Sequence, residues 1–362
     1  MNSIGLRSIK WESIRQIFRV IAENDVVTRA DISDETGLSL MTVGKVADAL
    51  LSLNVVTQDK EKRNSAGRRA GLLRIQQANY ALILDLTSRN FSVTAIDMRL
   101  NIINKNHFAY DENLSYSENL DLFLQEVMRQ RTLQAERHCI GIGVSVPGVY
   151  NSEKDRVISS RIAELEDIPI ARRVTDVLHE PNLVIEASYH AAARSQISRI
   201  ENFNEKIILY WFVGEGNIYG TVVYNGTIMQ GAHLQAGDFG NMVVNQKSAE
   251  GNICTLEKAI CAANTPEKNA FELAKAIRNV MRVVDPDLIL LECELYKHTE
   301  TGQEPFIEMV RNTLTEDFNI AGDTIPELIA GHCKFRHAHR GLTMKLRENW
   351  LSAMIMTTKG DF

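Results

Sequence analysis

From Tyr80 onward, short apolar runs alternate with helical stretches, and the series occurs twice. ALILDLTS (81–88) and SVTAIDM (92–98) read as adjacent strands with a short link, and NIINKNHFAY (101–110) as a third. Residues 116–131 carry an amphipathic helical pattern, and CIGIGVSVPG (139–148) is a buried strand running into a Pro-Gly turn. KIILYWFV (206–213), IYGTVVYNG (218–226) and DLILLEC (287–293) repeat the theme, with helices around 255–263 and 266–284. The pattern predicts two α/β halves, each opening on antiparallel strands and continuing in β-α units.

The first 75 residues follow a different period. Ile14, Ile17, Phe18 and Ile21 fall at i, i+3, i+4 and i+7, one face of a helix that Asn24-Asp25 ends. Thr28 is placed to cap a second, short helix, with Asp31 at the capping-box position. Thr36-Gly37 stops it in a tight turn. Ser39 caps a third helix, in which Val43, Val46, Ala47 and Leu50 repeat the apolar spacing. Val55-Val56, the polar DKEKRNSAGRRA (59–70) and Leu72-Leu73-Arg74-Ile75 then outline a two-stranded basic wing. Helix, short helix, Gly turn, helix and wing predict a winged helix-turn-helix over 1–78, with the third helix entering the major groove of DNA. Arg29, Ser39, Met41, Thr42 and Lys45 are its candidate contacts to bases and nearby phosphates. In the wing Lys60, Lys62, Arg63, Arg68 and Arg69 supply flexible cations for phosphate or the minor groove.

Charge agrees with that division. The chain's net charge is −6, but residues 1–75 hold 12 Lys/Arg against 9 Asp/Glu, leaving 28 basic and 37 acidic residues for the remainder. A basic segment on an acidic body suits a polyanion partner for the first segment alone. Five scattered cysteines (Cys139, Cys254, Cys261, Cys293, Cys333) form no CxxC pair, as expected of reduced thiols in a cytoplasm. No apolar run has the length of a membrane span, and no signal-peptide pattern opens the chain.

The expected fold class is α/β: a winged helix-turn-helix followed by a two-lobed actin-like ATPase/sugar-kinase fold. In that fold, ligands bind where strand ends and Gly-rich turns meet. The sequence resembles the ROK family (repressors, open reading frames and sugar kinases), specifically its repressor branch. The pieces that carry the resemblance are TRADISDETGLSLMTVGKV (28–46), GVSVPGVY (143–150), IEASYHAAA (185–193), YNGTIMQGAHLQAGDFGNMVV (224–244), EGNICTLE (250–257) and VVDPDLILLE (283–292). The implied lobes are 79–195, completed by a C-terminal helix about 336–362, and 196–335, which carries a dimerisation surface.

Motif by motif, the resemblance implies lost chemistry. The first phosphate turn of the kinases reads Asp-x-Gly-x-Thr; here Thr87 replaces the Gly and Arg89 the Thr of Asp85-Leu86-Thr87-Ser88-Arg89. The second, Gly-Thr-Gly, is Gly214-Glu215-Gly216, and Glu215 would repel a triphosphate by a few kcal/mol at about 4 Å. Glu292 and Cys293 are expected after the later strand, where the kinases carry glycines near the adenosine. The family's zinc ligands, one His and three Cys, fall on Asn241, Ser248, Glu250 and Thr255, so no metal is expected. Cys254 stands at a glycine position, and Gly251-Asn252 keep the turn. His332, Cys333, His337 and His339 are close in sequence within the terminal helical segment, a pattern that surface histidines also produce.

The family's Glu-Asn-Asp-Ala-Asn sugar motif is here Glu186-Ala187-Ser188-Tyr189-His190. Its general base falls on Ser188, and a serine without a base cannot take a hydroxyl proton at neutral pH. Pro147, Gly148 and Glu257 are retained, and the Glu of the Gly-Glu turn becomes Asp238. Pro147, Gly148, Ser188, Asp238, Asn241 and Glu257 are therefore candidate effector-binding residues, while turn and cap roles account equally for Asp238 and Glu257.

The expectation is a cytoplasmic, homodimeric or higher-order transcriptional regulator with no catalytic residues and no cofactor. Its partners would be double-stranded DNA with a palindromic operator and a sugar or sugar-derivative effector, without a membrane. An ATP-dependent sugar kinase with an accessory DNA-binding domain, and a protein-docking regulator with no small ligand, stand as rivals.

Overall fold

Three helices and a two-stranded sheet form the N-terminal segment of the protein. The computed structural model describes residues 11–60, 71–132, 136–158, 160, 162–214, 216–245, 253–263, 265–296, 302–318, 324–332 and 336–357. α1 (Trp11–Glu23) buries Ile14, Ile17, Phe18 and Ile21, the stripe expected from spacing. α2 (Arg29–Thr36) opens on a capping box: the Thr28 side chain accepts from the Asp31 N–H, and the Asp31 carboxylate accepts from the Thr28 N–H at 2.9 Å. Those Thr28 donors, the backbone N–H foremost, hold the Asp31 carboxyl below its usual range. Gly37, at φ +68°, ends α2 in the left-handed conformation that glycine adopts without a Cβ clash. α3 (Leu40–Ser52) buries Val43, Val46, Ala47 and Leu50. β1 (Val56–Lys60) and β2 (Gly71–Ile75) pair antiparallel, giving the two strands of the wing.

By contacts the chain divides into two compact units, Met1–Glu186 with Leu342–Phe362, and Ala187–Gly341. In the first, β3 (Asn79–Asp85), β4 (Ser92–Asp97) and β5 (Ile102–His107) form an antiparallel meander. α4 (Tyr116–Thr132) then leads to β6 (His138–Val146), parallel to β3. β7 (Val149–Asn151) and β8 (Arg156–Ile158) make a small hairpin, and α5 (Ile170–Leu178) precedes β9 (Leu183–Ala187). The sheet order is β5-β4-β3-β6-β9. β3 is buried along nearly its whole length, because α4 and α5 cover a core that includes Leu82, Leu84, Phe123 and Val174.

The second unit repeats this plan. α6 (Ser188–Ile197) precedes β10 (Ile207–Gly214), β11 (Asn217–Tyr224) and β12 (Thr227–Ile228). β13 (Val243–Asn245) pairs with β14 (Cys254–Thr255), and α7 (Leu256–Ala262) and α8 (Pro266–Val284) follow. β15 (Leu288–Cys293), α9 (Gln303–Glu316), β16 (Glu327–Ala330) and α10 (Arg336–Thr357) close the described chain. β10 is antiparallel to β11 and parallel to β15, in a sheet ordered β12-β11-β10-β15-β16. Trp211 and Ile289 are fully buried under α8 and α9, each such side chain being worth about 1.5–3 kcal/mol.

Two boundaries differ from the sequence reading. The unit division falls at 186/187 instead of 195/196, because α6 packs on β10 and β11. α6 also lies against the start of α10: a Cβ at Gly341 would stand 1.8 Å from the Ala191 carbonyl oxygen. α10 begins at Arg336 as expected, yet its residues up to Gly341 group with the second unit and those from Leu342 with the first.

The winged helix is not a separate body. Arg15 of α1 pairs with Glu348 of α10 at 2.7 Å, and Arg99 pairs with Asp25. The Arg347 guanidinium lies 5.3 Å from the Phe18 ring and donates to the Met98 carbonyl at 2.6 Å. Loss of water around it pulls its pKa down to about 10, leaving it cationic at neutral pH.

Candidate nucleic-acid interface and ligand site

The turn between α2 and α3 decides what the third helix presents. Gly37 redirects the chain and Ser39 caps α3, so Ser39, Leu40, Met41 and Lys45 are exposed and Thr42 partly so. The Ser39 hydroxyl accepts from the Thr42 N–H at 3.2 Å and shares a 2.9 Å hydrogen bond with the Thr42 hydroxyl. Both candidate base contacts thus also hold the helix start. Among the described residues Lys45 makes no ion pair. Arg29 does: its guanidinium meets Asp48 at 2.6 Å and Gln58 at 3.4 Å, which ties α2 to α3 and the wing. Arg63, Arg68 and Arg69, with Lys62, lie outside the described residues. The sequence reading passed over Leu40, whose exposure depends on where the Ser39 cap sets the helix phase.

The altered phosphate turn after β3 is closed on itself. One Asp85 carboxylate oxygen accepts from the Thr87 N–H at 3.0 Å and from the Thr87 hydroxyl at 2.6 Å. Arg89 pairs with Glu164 at 2.6 Å and Glu112 at 3.8 Å, and its guanidinium lies 5.9 Å from the Tyr110 ring. In the second unit β10 and β11 join through a two-residue link whose Gly216 has φ +56°; its neighbour Glu215 lies outside the described residues.

Glu292 and Cys293 correct an expectation. They are the last residues of β15, not residues beyond it, and both are buried. The Glu292 carboxylate accepts from the Tyr210 hydroxyl at 2.6 Å and from the Gln196 amide, while the Gln196 carbonyl oxygen accepts from the His332 N–H at 2.7 Å. Gly331 packs against this cluster, its ideal Cβ falling 3.0 Å from the Glu292 Cβ. A buried carboxylate survives here because the Tyr210 hydroxyl and the Gln196 amide both donate to it. Burial raises the Cys293 thiol to about 12, so it is neutral. His332 precedes α10 and does not lie on it, whereas His337 and His339 are buried in α10; Cys333 lies outside the described residues.

Three candidate effector residues of the second unit, Asp238, Asn241 and Glu257, gather around one turn. Gly237, at φ +94°, accepts through its carbonyl from the Gly220 N–H at 2.9 Å, and a Cβ on Gly237 would be 2.1 Å from the Gly220 oxygen. That close approach pins the turn to β11 and sets Asp238 and Asn241 side by side, bonded at 2.8 Å. Glu257, in the first turn of α7, places its carboxylate 3.1 Å from the ideal Cβ of Gly240. Two carboxylates and an amide therefore converge there. Thr255, at an expected cysteine position, caps α7 by accepting from the Lys258 N–H; Ser248, Glu250, Gly251 and Asn252 lie outside the described residues. Ser188 is the first residue of α6, and beside it buried Tyr189 stacks on Tyr219, with centroids 4.7 Å apart and planes 7° apart. In the first unit, Pro147 and Gly148 form the turn between β6 and β7.

The fold is thus a winged helix joined to a duplicated α/β body of the actin-like sugar-kinase type. Residues 82–264 match the model of the ROK family, and the chain belongs to that family. It is similar to a xylose repressor of Bacillus spizizenii, 23% identical over 241 residues, which cover 66% of this chain and 62% of that protein. A xylose repressor of Caldicellulosiruptor bescii is 23% identical over 263 residues, 70% of this chain and 63% of the relative. The chain thus spans less than two thirds of the length of the curated relatives it matches. Its fold is that of a solved ROK family transcriptional regulator, a homologue of the Escherichia coli MLC protein, with TM-score 0.71 over 96% of this chain and 99% of the other at 14% identity. No helix among the described residues is long and apolar enough to cross a membrane.

Proposed function

We propose that this protein is a DNA-binding transcriptional repressor whose kinase-like body senses a sugar or sugar derivative. The observation that carries the reading is the outward face of α3, where Ser39, Met41, Thr42 and Lys45 are offered while the apolar stripe is buried. The relatives named as xylose repressors support a carbohydrate effector. The carboxylates of Asp238 and Glu257 with the amide of Asn241, all in the second unit, are suited to sugar hydroxyls; Ser188, Pro147 and Gly148 remain candidates from the sequence alone. No phosphoryl transfer is part of this reading. Ser188 cannot serve as the base, and the Arg89 and Asp85 charges are met by the chain's own groups. The protein acts as a dimer on a two-fold-related operator, and effector binding alters the spacing of the paired winged helices. Contacts of Arg15, Arg99 and Arg347 would couple a movement of α10 or of the β4–β5 turn to α1 and the residues that follow it.

The test is selection of a bound duplex from a random-sequence pool by the full chain, followed by titration with pentoses and hexoses. One enriched two-fold-related sequence, released by a sugar, is the expected result. ADP release in a coupled assay with those sugars would favour the kinase reading instead.

A further inference from the structure

Leu40 and Met41 are consecutive at the start of α3, and they are 60% and 69% exposed. The next large aliphatic residues of that helix, Val43, Val46 and Leu50, are all buried. Folding therefore gains little from the two, and a polar pair would cap the surface equally well. Their polar neighbours are partly spent: of the Ser39 and Thr42 hydroxyl protons, one is used in the bond between the two side chains. Lys45 lies one turn beyond Met41 on the same face, exposed and without an ion pair among the described residues. An apolar tip backed by a cation, in the basic segment of an acidic chain, matches one feature of the DNA major groove. The thymine 5-methyl group is the apolar element there, and phosphates flank it.

We propose that Leu40 and Met41 read thymine methyl groups, so that each half-site carries thymines opposite the start of α3. The proposal rests on the DNA-binding reading above and names the base feature that this helix start selects. Apolar contact is insensitive to salt, so its removal lowers affinity without changing the salt slope. Losing one methyl contact is comparable to exposing one buried methylene-sized group, about fourfold in affinity.

The experiment uses the full chain and the duplex enriched from a random-sequence pool. Each thymidine of one half-site is replaced in turn by deoxyuridine, which removes only the methyl, and affinity is read by fluorescence anisotropy at fixed salt. Expected is a loss of about fourfold at one or two positions. The double variant Leu40→Ala/Met41→Ala, its folding checked by circular dichroism, should bind the thymidine duplex more weakly. It should also treat thymidine and deoxyuridine alike at those positions, with the wild-type salt slope. Equal binding of every deoxyuridine duplex by the wild type overturns methyl reading and leaves DNA binding standing. A methyl effect that persists in the double variant overturns the assignment to these two residues. If no sequence is enriched at all, the proposal falls together with the reading beneath it.

Discussion

Lys45 on α3 and Arg89 after β3 are both exposed cations at positions the sequence reading tied to phosphate, and the chain treats them oppositely. Arg89 is held by Glu164 and Glu112 and lies near the Tyr110 ring, while the neighbouring Asp85 is satisfied by Thr87. Lys45 projects from α3 with no ion pair among the described residues. The difference teaches that a cation near a phosphate motif says little until its charge balance within the chain is known. A met charge must break its own pairs before it can bind an anion; an unmet one has only water to give up.

The sharpest way to break this comparison is to remove charge on each side. Lys45→Ala combined with Arg68→Ala/Arg69→Ala should lower DNA affinity steeply and reduce the log–log salt slope by about 3, one unit per phosphate contact. Arg89→Ala should leave both unchanged. Equal effects from the two variants, measured by anisotropy across a salt series, would erase the distinction.

The next largest effect concerns the ligand side. Gly237→Ala puts a Cβ 2.1 Å from the Gly220 oxygen at a φ of +94°, and should destabilise by about 3 kcal/mol in urea unfolding. Sugar-dependent release of DNA should be lost before DNA binding itself, because Gly237 positions Asp238 and not α3.

Arg347→Ala probes the junction of α1 with α10 and the end of β4. It removes a charged hydrogen bond to the Met98 carbonyl and a cation over Phe18, together about 2 kcal/mol. Lysine at this position should recover only part, having one compact ammonium in place of a planar fork.

The smallest effect is a pH dependence in the α2 cap. The folded Asp31 pKa lies below its ordinary 3.8, so its contribution is present above that value and fades as pH falls through the folded one. Acid titrations of wild type and Asp31→Asn should therefore separate above about pH 4 and converge below. Constant separation to the lowest pH would show that the cap acts through shape and not charge.

Much of this molecule was legible in its residues alone. The three N-terminal helices, the Thr28–Asp31 box, the Ser39 cap and the strands β3, β4, β6, β10 and β15 follow from patterns that repeat within about four residues. The departures at the phosphate and sugar motifs came from the resemblance to the ROK family, not from those local rules. Left unassigned were α5, α9, β16 and the β7–β8 hairpin; α5 and α9 start without a side-chain cap, although they bury Ile170, Val174 and Leu178, and Phe306, Val310 and Leu314, at helical spacing.

What tertiary structure alone decided is which polar groups remain for a partner. Arg89 is met by Glu164, 75 residues away, and Glu292 by Tyr210, 82 residues away. Arg347 reaches the Met98 carbonyl across 249 residues. Periodicity records which face of an element is apolar, since that depends on neighbours along the chain. Charge compensation depends on neighbours in space, and only the closed fold brings those together.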